Sequence, residues 1–473
     1  MSSISDIFQN HDRAIIGTAD RAILAKLSCV EKGYYDDPFL RPMSRGAIGS
    51  EASTARRGAG TASSMMEPII RKGTHARVLA IDRAISAFLS LPLKSSRNNA
   101  KVTRQIVVLG SGRDTTYLRH RFEHLKNLHS NNTRTKDGAA EDSEQYVRWY
   151  EVDHPSVIRQ KVTDWLPCCM PRGFVCESIP VPHGGENIQI DGPYESYVVS
   201  ISGSNGGNDS LHGINTQTSN YHLIGFDLRD PPSNLFEILS HPQHGYDKSI
   251  PTFFILECVV MYLPEDASRE LLRHLAESVN ATEEHCNEDS FVAVAVYDPV
   301  PCGDRFGEVM IHNLQNAGIV GRRRQHHSQS SPLSENRKKQ EHDRLPILSL
   351  ESTRTVAEQL AKLIQCGFDT AVGCDMMEAY DHGIISMDDK RHAARCEMLD
   401  ELEEFTLLMR HYCFMVGVKC SNRFKASTTL ADVSQTMMKE DGGATTCVGF
   451  DLCSIGKNSP IGFQEGHCIS VHK

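Results

Sequence analysis

The sequence predicts an α/β fold in which helices cover both faces of a largely parallel sheet. Two observations lead to this prediction. Short apolar runs rich in β-branched residues recur along the chain, and amphipathic helical patterns separate them. Hydrophobic residues make up 40% of the 473 residues, which is enough to build a large core.

Five continuous apolar runs are predicted to be buried strands, and two segments are predicted to be helices. The first helix covers residues 74–90, where Val78, Ile81, Ile85 and Phe88 recur on one face. The second helix covers residues 271–279. The predicted strands are 105–110, 147–153, 221–228, 252–263 and 291–298. In such a sheet a ligand binds outside the carboxyl ends of the strands.

Five polar segments are predicted to lie outside this fold. Their compositions bury too little apolar surface to offset the entropy lost on ordering. They are residues 45–64, 121–146, 201–220, 321–344 and the tail 421–473. Without them roughly 330 residues remain, the size of one large domain. We therefore predict a single domain over residues 1–420 and a largely disordered C-terminal tail.

Composition excludes several classes of protein. The net charge of −10 argues against a nucleic-acid partner. No apolar run approaches the roughly 18 residues of a membrane helix, and the N-terminus lacks a signal-peptide core. The 15 cysteines include no C-x-x-C pair and no zinc-binding spacing. We expect reduced thiols, no metal site, and a cytoplasmic protein that also occurs in the nucleus.

The first predicted strand leads into a short glycine loop, Gly110-Ser111-Gly112. Thr115 occupies the position at which a dinucleotide fingerprint has its third glycine. Two interpretations therefore stay open. The loop either lets the backbone approach a ligand closely or only makes a tight turn between strand and helix.

Acidic residues stand at or near the ends of three predicted strands: Asp153, Asp227 and Glu257. Carboxylates that converge at one edge of a sheet suit a ligand with ribose hydroxyls and positive charge, and they repel phosphates. S-adenosylmethionine has these properties, whereas NAD fits less well. The alternative is that the three acids cap the helices that follow the strands.

Seven segments in series resemble the leucine carboxyl methyltransferase family. They are KLSCVEKGYYDDPFL (26–40), RKGTHARV (71–78), VVLGSGRDTTYLR (107–119), YEVDHPSVIRQK (150–161), LECVVMYLPEDAS (256–268), GDRFGEVMIHNL (303–314) and LLMRHYCFM (407–415). The resemblance implies a class I S-adenosylmethionine-dependent methyltransferase with a Rossmann-like sheet and added helical lid elements. It also implies methylation of the α-carboxylate of the C-terminal leucine of the protein phosphatase 2A catalytic subunit, which regulates holoenzyme assembly.

The resemblance implies a role for each matching residue in binding S-adenosylmethionine or its product S-adenosylhomocysteine. Two cations would hold the methionyl carboxylate, two glycines would lie against the ligand, and four further residues would contact ribose, adenine and the amino group. In that order they are Lys26 and Arg77, Gly110 and Gly112, then Asp153, Asp227, Leu228 and Glu257. The plainer alternatives for the cations are a solvated helix lysine and a structural arginine.

Tyr262 and Arg305 are the candidates for the substrate side of the site. Their alternatives are a core tyrosine and a structural pair between Asp304 and Arg305. We expect no general base, because a terminal carboxylate with a pKa near 3.5 is already ionised at pH 7.

Two other functions remain open at this point. A carboxyl methyltransferase of the tRNA wybutosine pathway would continue into a long kelch-repeat domain, but only 53 residues follow position 420. A non-enzymatic binding protein could use the basic stretches 322–324 and 337–339 to contact an acidic partner.

Overall fold

The computed structural model describes residues 13–45, 66–91, 103–121, 146–170, 174–179, 194–201, 220–279, 290–317, 348–382, 384–421 and 469–472. One sheet of ten strands organises these residues. The strands are β1 (Thr103–Leu109), β2 (Tyr146–Asp153), β3 (Phe174–Ile179), β4 (Glu195–Ile201), β5 (Tyr221–Gly225), β6 (Thr252–Glu257), β7 (Phe291–Pro299), β8 (Thr370–Asp375), β9 (Tyr412–Cys420) and β10 (Ile469–His472).

The five central strands run parallel in the order β5-β2-β1-β6-β7. Antiparallel pairing adds β9, β8 and β10 beyond β7, and β4 and β3 beyond β5. From β1 the chain goes first to β2 on one side and later to β6 on the other. The strand order therefore reverses between β1 and β6, and a crevice opens at their carboxyl ends.

Helices lie between most of the strands. They are α1 (Thr18–Glu31), α2 (Leu40–Met43), α3 (Pro68–Ser90), α4 (Pro155–Gln160), α5 (Leu166–Cys169), α6 (Pro232–Leu239), α7 (Glu265–Glu277), α8 (Arg305–Asn316), α9 (Ser349–Ser352), α10 (Val356–Gln365), α11 (Met376–His382), α12 (Met387–Cys396) and α13 (Leu402–Arg410). A π-helical turn joins α4 to α5. Proline occupies the first turn of α3, α4 and α6, where its fixed φ suits the helix and its missing N–H is not needed. Among the residues described, no helix is both long enough and apolar enough to cross a lipid bilayer.

The sheet has a hydrophobic core on each face. Along β1, Ile106 and Val108 enter one core, and Val107 and Leu109 enter the other. This alternation buries both faces of the strand, as expected for a parallel sheet between two helical layers. The predicted α/β fold is therefore confirmed.

The structure corrects the predicted element bounds. The predicted strand 252–263 ends at Glu257, because a left-handed residue, Cys258, and a 3₁₀ turn at Val260–Tyr262 follow it. The predicted strand 221–228 ends at Gly225, and the first helix begins earlier, at Pro68. The antiparallel strands were missed. Two of them, β4 and β10, lie in or beside segments that composition marked as polar.

The five polar segments lie almost entirely outside the described residues. The tail is an exception, because its residues Ile469–His472 pair with β8 in an antiparallel register. The prediction of a largely disordered tail otherwise concerns residues outside the described part of the chain and stays a prediction. A strand of four residues needs only an open sheet edge to pair with, which composition does not reveal.

Candidate active site

A cavity of about 820 Å³ opens at the carboxyl ends of β1, β2, β5 and β6. It lies at the reversal of the strand order, where the sheet topology predicts a ligand. Helices α1, α3, α8 and α13 contribute to its walls. Nine of the ten residues proposed from the sequence line it: Lys26, Arg77, Gly110, Gly112, Asp153, Asp227, Leu228, Glu257 and Tyr262.

The glycine loop forms the floor of this cavity. Gly110 and Gly112 have φ values of +69° and +49°, in the left-handed region that glycine adopts most easily. A Cβ atom on Gly110 would also collide with Cγ2 of Val259. At Gly110 and Gly112 the loop therefore brings main chain without a side chain to the cavity surface.

A buried ion pair supports the loop from behind. Lys161, in the π-helical turn, pairs with Glu151 of β2, and neither side chain is exposed. Lys161 also donates to the carbonyl oxygens of Gly112 at 3.2 Å and Asp114 at 3.1 Å. Burial raises the pKa of Glu151 to about 7 against the opposing charge of Lys161. The loop is thus held by a side chain that the cavity does not contact.

Asp153, the last residue of β2, connects the loop to the neighbouring strand. Its Oδ2 accepts from the Gly112 N–H and its Oδ1 from the His154 N–H, both at 2.6 Å. Burial raises the pKa of Asp153, and these two N–H groups oppose that rise. A carboxylate fixed in this way keeps lone pairs for ligand hydroxyls.

Four charged side chains form a network on the other side of the loop. Lys26 of α1 donates to Asp114 at 3.3 Å and to Glu257 at 3.2 Å. Arg77 of α3 pairs with the second oxygen of Glu257 and lies over the ring of Tyr297, 5.3 Å from its centroid. All four side chains of the network are at most 18% exposed. Lys26 is thus not a solvated lysine, whereas a structural role for Arg77 stays open beside its proposed role in the site.

The charges of this network reinforce one another. Burial disfavours the charged form of Glu257, but Arg77 and Lys26 outweigh it, so the pKa of Glu257 is lowered. Burial likewise opposes ionisation of Asp114, and Lys26 leads the charges that lower its pKa. The pKa of Lys26 is raised despite its burial, because Glu257 and Asp114 face it. All of these groups are therefore charged at neutral pH.

Asp227 and Leu228 line the cavity beyond the end of β5. Asp227 accepts from the guanidinium of Arg229, and these bonds lower its pKa although burial acts against them. Leu228 is buried and packs with Phe226 in the core. Together they form one apolar and one acidic surface at this end of the cavity.

The helix-cap interpretation of the three acids is not borne out. The residues that precede α4, α6 and α7 are His154, Pro231 and Pro264. Asp153, Asp227 and Glu257 instead face the cavity.

Three tyrosines line the same cavity. Tyr262, which ends the 3₁₀ turn, lies beside Tyr297 of β7 and Tyr412 of β9. The rings of Tyr297 and Tyr412 are stacked, with centroids 5.5 Å apart. Burial raises the pKa of all three hydroxyls, that of Tyr412 to about 12, so they remain protonated donors at neutral pH.

The structure does not bring Arg305 to the cavity. Arg305 is the first residue of α8 and is exposed. The proposed pairing of Asp304 with Arg305 is not formed either. Asp304 instead caps α8 through the Gly307 N–H and accepts from His411 at 2.9 Å. The residues of α8 that reach the cavity are Met310, Asn313 and Leu314. They share one face of the helix and lie further along it than Arg305.

Sequence reasoning missed Asp114, Tyr297, Tyr412 and the pair of Glu151 with Lys161. Asp114 had a usable signal, because it is an acid two residues after the glycine loop. Glu151 also stands out as a charge within an apolar strand. The tyrosines carry no such signal, since an aromatic residue in a strand is normally part of the core.

Known proteins of one enzyme family resemble this chain in sequence. The family model of leucine carboxyl methyltransferase matches residues 14–129 and 207–276. Leucine carboxyl methyltransferase 1 of Bos taurus is 25% identical over 408 residues, which cover 86% of this chain and 90% of that protein. The Leucine carboxyl methyltransferase 1 homolog of Arabidopsis thaliana is 26% identical over 410 residues, with coverages of 86% and 89%.

Among solved structures, the plantazolicin methyltransferase BpumL in complex with SAH is 11% identical, with a TM-score of 0.28. The alignment covers 86% of this chain and 99% of that protein.

The sheet order and the cavity at its reversal define a class I methyltransferase fold. The chain is similar in sequence to the leucine carboxyl methyltransferase family, and it is a methyltransferase.

Proposed function

We propose that this enzyme transfers a methyl group from S-adenosylmethionine to the α-carboxylate of the C-terminal leucine of the protein phosphatase 2A catalytic subunit. The product would be a leucine methyl ester that regulates assembly of the phosphatase holoenzyme. One observation carries the proposal. A single cavity joins the network of Lys26, Arg77 and Glu257 to Asp153 and to a floor of glycine backbone.

The residues of the cavity fit S-adenosylmethionine. Asp153 offers acceptors for ribose hydroxyls, and Asp227 with Leu228 offers an acidic and an apolar surface for adenine. The amino-acid end carries one ammonium and one carboxylate, which match Glu257 and the pair of Lys26 and Arg77. The bare glycine loop leaves room for main-chain contact. The carboxylates in this cavity would repel a diphosphate, which disfavours NAD.

When bound, S-adenosylmethionine supplies a methyl group attached to a positively charged sulfur. The chain's own residues would bind and orient the cofactor and the substrate carboxylate, and they would exclude water from the site. A terminal carboxylate is already ionised at pH 7, so no residue is assigned as a general base. The protonated hydroxyls of Tyr262, Tyr297 and Tyr412 are suitable donors to that carboxylate. Met310 and Leu314 of α8 supply apolar surface for a leucine side chain.

The test is incubation of the enzyme and labelled S-adenosylmethionine with a phosphatase 2A core enzyme. We expect base-labile labelling of the intact catalytic subunit and none of a subunit that lacks its last leucine. The Glu257→Gln variant removes the charge of an acid in the cavity. It should label the intact catalytic subunit far more slowly than the wild type does. Base-stable labelling, or equal labelling of the two subunits, would contradict the proposal.

A further inference from the structure

We propose that Asp298 is a positioning residue that holds the turn between β6 and α7 in the shape needed to bind the amino-acid end of the cofactor. Asp298 does not line the cavity, so it would act through this turn rather than by touching a ligand. The inference rests on the proposed function, because it assumes that Glu257 receives the ammonium group.

The turn has an unfavourable backbone conformation at its start. Cys258, directly after Glu257, has a φ of +56°, in the left-handed region that residues with a side chain rarely adopt. Its N–H donates to the carbonyl oxygen of Tyr297 at 2.7 Å, which extends the pairing of β6 with β7 by one bond. The chain then enters the 3₁₀ turn Val260–Tyr262. Such a conformation persists only where its surroundings hold it in place.

Asp298 supplies that restraint from the adjacent strand. It lies near the end of β7 and is 1% exposed. Its Oδ2 accepts from the Met261 N–H at 3.1 Å. This N–H group lies within the 3₁₀ turn Val260–Tyr262, near its start, where no helical carbonyl is available to it. The Asp298 side chain therefore satisfies a donor that the strained turn exposes.

The same turn determines two parts of the cavity. Glu257, at its start, receives both Lys26 and Arg77. Val259, two residues before the Met261 N–H that Asp298 accepts, packs directly against Gly110. A shift of the turn would therefore move the acid at the ammonium end and loosen the support of the glycine loop.

The environment of Asp298 indicates that its polarity serves this turn. Its Oδ1 has no hydrogen-bond partner among the described residues. Burial raises the pKa of Asp298 to about 8, although Lys362, the nearby main-chain N–H groups and Arg77 act against that rise. An apolar side chain would avoid this desolvation but would leave the Met261 N–H without an acceptor.

The experiment compares Asp298→Ala, Asp298→Ser and Asp298→Asn by calorimetric titration with S-adenosylhomocysteine and with adenosine. Alanine removes the acceptor and serine is too short to reach the turn, so both should weaken S-adenosylhomocysteine at least tenfold and adenosine less than threefold. Asparagine keeps a carbonyl acceptor and should stay within about threefold of the wild type for both ligands. The thermal midpoint of each variant is measured alongside.

Asp369 offers a matched control at the opposite end of the sheet. It is a partly buried aspartate that also accepts a main-chain N–H, from Cys420 at 3.1 Å, and it pairs with Lys419. Asp369→Ala should lower stability without changing the ratio of the two affinities. Equal weakening of both ligands by Asp298→Ser, or no weakening at all, would overturn the inference. A wild-type chain that binds neither ligand would overturn the proposed function itself.

Discussion

The guanidinium of Arg77, on helix α3, pairs with the carboxylate of Glu257 at the end of β6. Lys26 approaches the other oxygen of the same carboxylate at 3.2 Å. One acid is therefore held between two cations from different helices. An amino acid carries an ammonium group, which an acid can bind, and a carboxylate, which a cation can bind. The roles of Lys26, Arg77 and Glu257 can therefore be tested with ligands that have or lack an amino-acid end.

Arg77→Ala should weaken S-adenosylmethionine and S-adenosylhomocysteine at least tenfold, because both carry the carboxylate that Arg77 would hold. Adenosine lacks this carboxylate, and its binding should change less than threefold. Arg77→Lys should restore only part of the affinity, since an ammonium group cannot reproduce a bidentate guanidinium. Calorimetric titration with the three ligands measures these differences.

Arg83 is the control for this experiment. It lies on the same helix, is similarly buried and forms its own ion pair with Asp389. Arg83→Ala should leave all three affinities near those of the wild type. If Arg77→Ala weakened adenosine as much as the other ligands and lowered the thermal midpoint, Arg77 would be a structural residue only.

Asp153→Asn should preserve the fold and weaken S-adenosylhomocysteine by roughly ten- to a hundredfold, because a charged acceptor for the ribose becomes a neutral one. The amide can accept from only one of the two N–H groups, of Gly112 and His154, that the carboxylate now satisfies. Calorimetry gives the affinity and thermal unfolding gives the stability. An unchanged affinity would show that Asp153 only orders the loop.

Lys161→Met should cost about 3–5 kcal/mol of unfolding free energy, because it leaves Glu151 buried without its cation. The double variant Glu151→Leu/Lys161→Met should recover most of this stability, since no buried charge remains. Its affinity for S-adenosylhomocysteine should stay reduced, because the carbonyls of Gly112 and Asp114 still lack their donor. Urea unfolding and calorimetry separate the two effects. Full recovery of affinity would show that the loop does not depend on Lys161.

Stability should depend on pH through Asp298, whose pKa is about 8 in the folded chain and near 3.9 when exposed. Its stabilising contribution is complete below about pH 4 and is lost as pH rises through about 8. The wild type should therefore lose unfolding free energy relative to Asp298→Asn between pH 5 and 8, with a slope approaching about 1.4 kcal/mol per pH unit.

Other charged and titratable groups lie around Asp298 and bear on this comparison. Lys362 and Arg77 favour its charged form, while Cys258, Cys413 and Tyr412 are neighbours whose own pKa values burial raises. These neighbours are common to both chains, so the difference between them reports on Asp298. A difference that does not change with pH would contradict the prediction.

The positions of the three acids could be predicted because they depend on local pattern. Asp153 and Glu257 end their strands and Asp227 follows the end of a third, and parallel strands present those ends at one edge. Lys26 and Arg77 carried no such signal and were proposed from the resemblance alone. Arg305 came from the same resemblance, but it is exposed outside the cavity. A motif match thus located the helix without showing which of its faces meets the site.

The sequence by itself determined the α/β fold, the glycine loop and the acids at the strand ends, because apolar periodicity and turn residues act over short distances along the chain. Only the tertiary structure decided which side chains meet. Lys26 and Glu257 lie 231 positions apart in the sequence. Lys161 reaches the glycine loop from the π-helical turn that follows α4. The tertiary structure was also needed to identify the antiparallel strands at both sheet edges and the restraint by Asp298. Such contacts depend on burial and pairing between distant segments, which no local pattern specifies.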